Sequence, residues 1–155
     1  LSIASGIGRI TPEVDMADID EQDERVREIL GTKNLDVSKA KLKTYLKYLK
    51  QHIEFPCMLT GIEDFDWEEF YVFGPGSQKE YKELKKTRPS YTDKYDLISF
   101  VDKIENENDG ILVEVERVSD KKRFILPLAE LEETNKKTRN NQLLDDYVVW
   151  FVNYQ

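Results

Sequence analysis

"KKTRNNQLLDDYVVWFVN", residues 136–153, is the stretch on which the fold turns. Its run "DYVVWFV" (146–152) is crowded with β-branched and aromatic residues, the composition of a buried strand. The whole stretch aligns without gaps on "KKTRPSYTDKYDLISFVD" (85–102), sharing KKTR and the FV pair. Each copy follows two apolar runs and a polar connector, so the alignment predicts two similar units of three strands. Three strands alone bury little, and the two units are therefore expected to share one core, a small six-strand antiparallel barrel.

Working outward, "FPCMLTGI" (55–62), "EFYVF" (69–73) and "YDLISFV" (95–101) supply the strands of the first unit. "ILVEVERV" (111–118), "RFILPL" (123–128) and the 146–152 run supply the second. "VERVSDKKRFIL" reads as a hairpin turning at Ser119 to Lys122, with Val113, Val115 and Arg117 on one face of its first strand. Pro127 places the end of the second strand, or a sheet edge, at that point.

Before the strands stands the clearest helix, "LDVSKAKLKTYLKYLKQHI" (35–53). Leu42, Leu46, Leu49 and Ile53 recur at helical spacing beside Tyr45, and five lysines coat the other faces. Asp36 or Ser38 is the expected N-cap. Residues 1–34 read as an acidic arm, partly helical and otherwise mobile, with Val14, Met16, Ile19, Val26, Ile29 and Leu30 forming a stripe that ends at Gly31. The expected fold class is thus α+β: an N-terminal helix packed on a barrel-like β core, with β units over 55–102 and 110–153 within a domain spanning 35–155.

The 155 residues are 39% hydrophobic and 11% aromatic, enough for one compact core. The formal net charge of -8 argues against nucleic acid as a partner and for cations or basic protein faces. Cys57 is the one cysteine, so no internal disulfide forms and a reducing, cytoplasmic setting is expected. No stretch is long and apolar enough to cross a bilayer, and "LSIASGIGRI" lacks the basic lead of a secretory signal. A chain opening on Leu1 rather than Met reads as a trimmed start.

Catalytic constellations are not evident. His52 is the one histidine, without a second for a relay or a zinc cluster, and reads as a packed imidazole. Cys57 reads as a small buried hydrophobe. "GPG" (74–76) lacks the spaced glycines and lysine of a phosphate loop. No enzyme is expected.

Acidic clusters remain. In "GIEDFDWEEFYVFGPG" (61–76), Glu63, Asp64, Asp66, Glu68 and Glu69 crowd together without an intervening Lys or Arg. An extended chain would set Asp64, Asp66 and Glu68 on one face, with Gly61 leaving room for a backbone carbonyl. Calcium, a hard cation that takes oxygen ligands, fits such a row, whereas the bland reading is a solvated acidic loop. Asp145 and Asp146 form a further acidic spot. "DIDEQDE" (18–24) fails as an EF-hand: with Asp18 first, Asp23 falls where glycine must turn the loop, and Ile29 falls where a bidentate Glu is required.

"FPCMLTGIEDFDWEEFYVFGPG", "KKTRPSYTD", "RVSDKKRFILPLAELE" and "NQLLDDYVVWFVN" resemble the CcbP-type small acidic calcium-binding proteins of cyanobacteria and their bacterial relatives, over about residues 41–153. The resemblance implies a soluble protein without an EF-hand that binds Ca2+ through clustered surface carboxylates and buffers the cytoplasmic ion, and without a preformed loop cage the binding is expected to be weak. The expected metal residues are Glu63, Asp64, Asp66, Glu68 and Glu69, then Asp145 and Asp146. The alternative is an interaction module whose acidic face docks a basic protein partner, with no role for nucleic acid or membrane.

Overall fold

The computed structural model describes residues 16–155, with side chains from residue 20 onward. Val14 and the side chains of Met16 and Ile19, invoked above for the N-terminal stripe, lie outside the described residues, as do the opening residues of the expected arm. Helix α1 spans Met16–Leu30 and α2 spans Lys39–His52. Strand β1 (Met58–Gly61) leads into a 3-10 turn (Asp66–Glu68) and two short helices, α3 (Glu69–Val72) and α4 (Gln78–Leu84). Strands β2 (Lys94–Phe100), β3 (Leu112–Arg117) and β4 (Arg123–Pro127) follow. A second 3-10 turn (Leu128–Glu130), β5 (Leu131–Glu133) and α5 (Arg139–Asn153) complete the chain.

All neighbours in the sheet are antiparallel, in the order β4-β3-β2-β1-β5. The α+β class stands, but the six-strand barrel does not: the described residues form one open sheet of five strands. Two expected strands are helices. "EFYVF" is α3, and "DYVVWFV" lies inside α5. The aligned segments 85–102 and 136–153 therefore fold differently, one into β2 and the other into α5, and there are no two like units.

The sheet is nonetheless strongly curled. Its edge strands β4 and β5 would lie about 19 Å apart if it were flat. Yet only the turn Leu128–Glu130, an advance of about 6 Å, connects them. The turn is stitched to both sides: Leu128 N–H donates to the Ile111 carbonyl at 2.9 Å, and Ile62 N–H to the Glu130 carbonyl at 3.0 Å.

Inside the structure lies α5, whose residues from Asp146 to Val152 are all buried. It packs on β5 and the adjoining turn, while α1 packs on both α5 and α2. A helix covered on nearly every side must be apolar on nearly every side, which accounts for its strand-like composition. Trp150 stacks on Tyr45 with ring centroids 5.1 Å apart, and its indole N–H donates to the Leu35 carbonyl at 2.7 Å. Leu42, Tyr45, Leu46 and Leu49 form the buried face of α2, as their spacing predicts, and Ser38 caps that helix by accepting from Lys41 N–H. Gly31 ends α1 with φ +68, as a left-handed C-terminal residue should. Val113, Val115 and Arg117 share the buried face of β3.

Candidate functional site

The segment between β1 and β2 holds the acidic stretch, and it is not extended. Gly61 fixes its start, because a Cβ there would lie 2.5 Å from the Tyr91 Cβ. Gly61 N–H donates to the Tyr91 carbonyl at 3.0 Å, so the glycine is needed for backbone contact with the far end of the loop, not for an approaching ion. Asp66 then opens the 3-10 turn and Glu69 opens α3, both at helix starts that favour negative charge. The row of Asp64, Asp66 and Glu68 on one strand face is therefore replaced by a turn that sends them apart.

Glu68 points inward and is 0% exposed. Its Oε1 accepts from the Tyr81 hydroxyl at 2.8 Å and the Ser90 hydroxyl at 2.5 Å. Its Oε2 accepts from Phe65 N–H at 3.1 Å and Tyr91 N–H at 2.9 Å. Four donors saturate this carboxylate, which ties the 3-10 turn, α4 and the approach to β2 together. Burial first, then the hydrogen bond to Glu68, pushes the Tyr81 phenol up to about 12.

Beside it sits a second hub. Arg117, 2% exposed, donates to the carbonyls of Lys85, Lys86 and Arg88 at 2.8–3.1 Å. The same guanidinium binds Asp93 at 2.9 Å and Asp120 through two nitrogens at 2.9 and 3.0 Å. Arg117 pulls the Asp120 carboxyl down to about 2. The loop between β1 and β2 is thus anchored from both ends on rigid elements.

Glu63 and Asp64 have no such partners. Asp64 is 5% exposed, and its Oδ2, like the buried Glu63 Oε1, has no hydrogen-bond partner. Two buried, unsatisfied carboxylate oxygens in succession are costly, since the charge is removed from water with nothing to replace it. The curl of the sheet adds another carboxylate: β1 pairs with β5 so that Gly61 faces Leu131, which brings Glu130 beside residues 62 and 63. Burial, followed by the charges of Asp66, Asp109 and Glu63, pushes the Glu130 carboxyl up to about 7. Asp66 and Asp109 are exposed and face outward around it. Among the described residues, no three such groups already converge as metal ligands.

Glu130 and Asp109 are absent from the set expected from sequence. They lie far from residues 63–66 along the chain, and only the register of β5 on β1 joins Glu130 to that stretch. The other expected residues sit elsewhere. Asp146, 2% exposed, takes a bidentate ion pair from Arg25 at 2.8 and 3.0 Å, and Asp145 accepts from the Gln22 amide at 3.0 Å. These two clasp α1 to α5 on another part of the molecule, joined by the Tyr154 hydroxyl donating to Asp23 at 2.7 Å. Cys57 is buried and donates to Glu133 at 3.2 Å, and His52 stacks on Tyr48 at 4.0 Å, both in packing roles.

No protein-family model matches the chain, and no curated protein matches it. Among solved structures the fold is similar to that of Anabaena CcbP, with a TM-score of 0.51 and 13% identity over 86% of this chain and 90% of that one. It is also similar to the structure of a calcium binding protein in the calcium-binding form, with a TM-score of 0.52 and 13% identity over 84% and 89% of the two chains. The likeness is one of fold, and it agrees with the resemblance drawn from the sequence motifs. Among the described residues no helix is long and apolar enough to cross a membrane.

Proposed function

We propose that this chain is a calcium-binding protein without an EF-hand, which holds the ion through Glu63, Asp64, Asp66, Asp109 and Glu130. The observation that carries the reading is the pair of buried, unpartnered oxygens on Glu63 and Asp64. A hard cation is the partner that satisfies several carboxylate oxygens at once and relieves their mutual repulsion. Glu69 adds negative field at the rim. Glu68, Asp145 and Asp146 are left out because their hydrogen bonds tie separate elements of the fold together, whereas Asp109 accepts from the exposed Asn106 amide of its own loop. The shared fold with a calcium binding protein supports the same ion.

Without a preformed cage, the carboxylates must be drawn together by the ion, so the affinity is weak, about 10⁻⁴–10⁻³ M as for open extracellular modules. Such a site suits buffering of cytoplasmic calcium better than sensing traces of it. Calorimetric titration of the full chain tests the reading beside a variant carrying Asp64→Asn and Asp66→Asn. Saturable heat with calcium, lost in the variant and not reproduced by magnesium, is the expected result. No saturable heat, or equal heat from both ions, sinks it.

One observation favours a second reading, a module that docks a basic protein. Phe70 and Phe73, 53% and 74% exposed, stand beside the acidic turn as anchors of the kind that interfaces bury. Capture of a partner that withstands chelator and dissociates in salt would favour it over the calcium reading.

A further inference from the structure

Of the two edge strands, β5 lies against α5, whereas the element β4 packs on is its sheet neighbour β3. The hydrogen bonds at either end of the β3–β4 pair fix which main-chain groups look outward. Arg117 N–H donates to the Lys122 carbonyl at 2.8 Å, and Leu128 N–H to the Ile111 carbonyl at 2.9 Å. Between these points the antiparallel register alternates, so Phe124 and Leu126 bond to β3 while Arg123, Ile125 and Pro127 turn their main-chain groups away from it. The outer edge thus offers the N–H groups of Arg123 and Ile125 and the carbonyls of Arg123, Ile125 and Pro127. Such edges are ordinarily guarded by charge or proline. Here Pro127, which has no N–H, guards only the last position. The Arg123 side chain is drawn back over β3 by Glu116 at 2.9 Å and Glu114 at 3.5 Å. Ile125, 54% exposed, is left at the centre of the strand.

The order of charge along β4 sets the direction of a partner strand. β4 leaves a turn carrying Lys121 and Lys122, whose Asp120 is taken up by Arg117. It ends towards acidic ground: Glu130 follows Pro127 through the 3-10 turn, and Asp109 shortly precedes the Ile111 that accepts from Leu128. A second β4 laid antiparallel sets the basic start of each strand against the acidic end of the other, whereas a parallel one sets like against like. With a two-fold axis at Ile125, Ile125 N–H donates to the Ile125 carbonyl of the second copy, and Arg123 N–H to its Pro127 carbonyl, once in each direction. Both edge donors are satisfied. The donor that proline lacks is missed only by the Arg123 carbonyl, and the two exposed Ile125 side chains meet at the axis.

We infer that β4 is a self-association edge, through which two copies of this chain join antiparallel about a two-fold axis at Ile125 and continue the sheet from one to the other. Glu130 and Asp109 enter as charges alone, so the inference stands if the calcium reading fails. A five-residue strand supplies far less than the roughly 20–30 residues a side of a standard interface, so the dimer is a transient one. Sedimentation velocity of the full chain tests it, in chelator and about 0.15 M salt, where repulsion between two copies of net charge -8 is screened beyond about 8 Å. The native chain should sediment faster as concentration rises towards about 1 mM. Ile125→Glu changes an exposed side chain, leaves the fold intact by circular dichroism, and should weaken association about ten-fold or more. Crosslinking reads the register. Ile125→Cys sets two thiols on residues about 5.5 Å apart at Cα, within disulfide reach, and Cys57 is buried out of the way. Arg123→Cys sets its pair about 13 Å apart along the strands. Oxidation should therefore link the first variant and not the second. A native chain whose sedimentation ignores concentration overturns the inference and leaves the edge to a strand of another protein. So does Ile125→Glu associating as the native chain does, or crosslinking that fails to favour Ile125→Cys.

Discussion

Replacing Glu130 by Gln removes one negative charge from the acidic turn while keeping the shape of the side chain. In the folded protein this carboxyl is raised from 4.5 to about 7, by burial and then by Asp66, Asp109 and Glu63. A native pKa above the unfolded one means that the folded state holds a proton the unfolded chain has released. Stability contributed by the neutral form is present below about pH 4.5 and is lost as pH rises through about 7. The full shift corresponds to about 3 kcal/mol, and the solvent reaching this partly exposed group reduces that to about 1–2 kcal/mol. Glu130→Gln should therefore match the native protein near pH 4.5 and exceed it by about 1–2 kcal/mol near pH 8. Urea unfolding in chelator across that range measures the difference. Calcium should flatten the slope in the native protein by taking the proton's place, and should stabilise the variant less. If both proteins show the same pH slope, or the variant is weaker near pH 8, the repulsion assigned to this turn is absent.

Three other substitutions separate the roles of neighbouring groups. Arg117→Met strips the buried cation from three carbonyls and two carboxylates, and should lower stability by about 3–5 kcal/mol in denaturant unfolding. Glu68→Gln should cost about 2–3 kcal/mol through its lost charged hydrogen bonds, whereas Asp66→Asn should stay within about 0.5 kcal/mol yet weaken calcium in calorimetry. Gly61→Ala forces a methyl into the Tyr91 backbone and should lower stability by about 1–3 kcal/mol, read as a drop in melting temperature.

The elements legible in the sequence are those with one wet face. The lysine-coated α2 declares its stripe because water takes the other sides, and β3 alternates because Glu114 and Glu116 face out while Val113 and Val115 face in. The failure at α5 has the opposite cause: a helix enclosed by sheet, turn and two other helices has no polar face to mark a period, so Val148, Val149 and Val152 read as strand. The acidic turn was visible as composition, but its division of labour was not. Glu68 and Asp64 are both buried carboxylates in one short stretch, and only the fold shows that one meets four donors while an oxygen of the other meets none. Glu130 was invisible because its neighbours arrive through strand register, which one-dimensional spacing does not encode.

Arg117 grips the turn at residues 85–88 by main-chain oxygens alone. Such a grip is blind to what the turn displays. That hold would survive changes at Lys85, Lys86 and Arg88, whose side chains serve instead in outer contacts with Tyr81, Glu83 and Trp67. The KKTR shared with residues 136–139 leads there into a helix, so the same letters serve a different local structure.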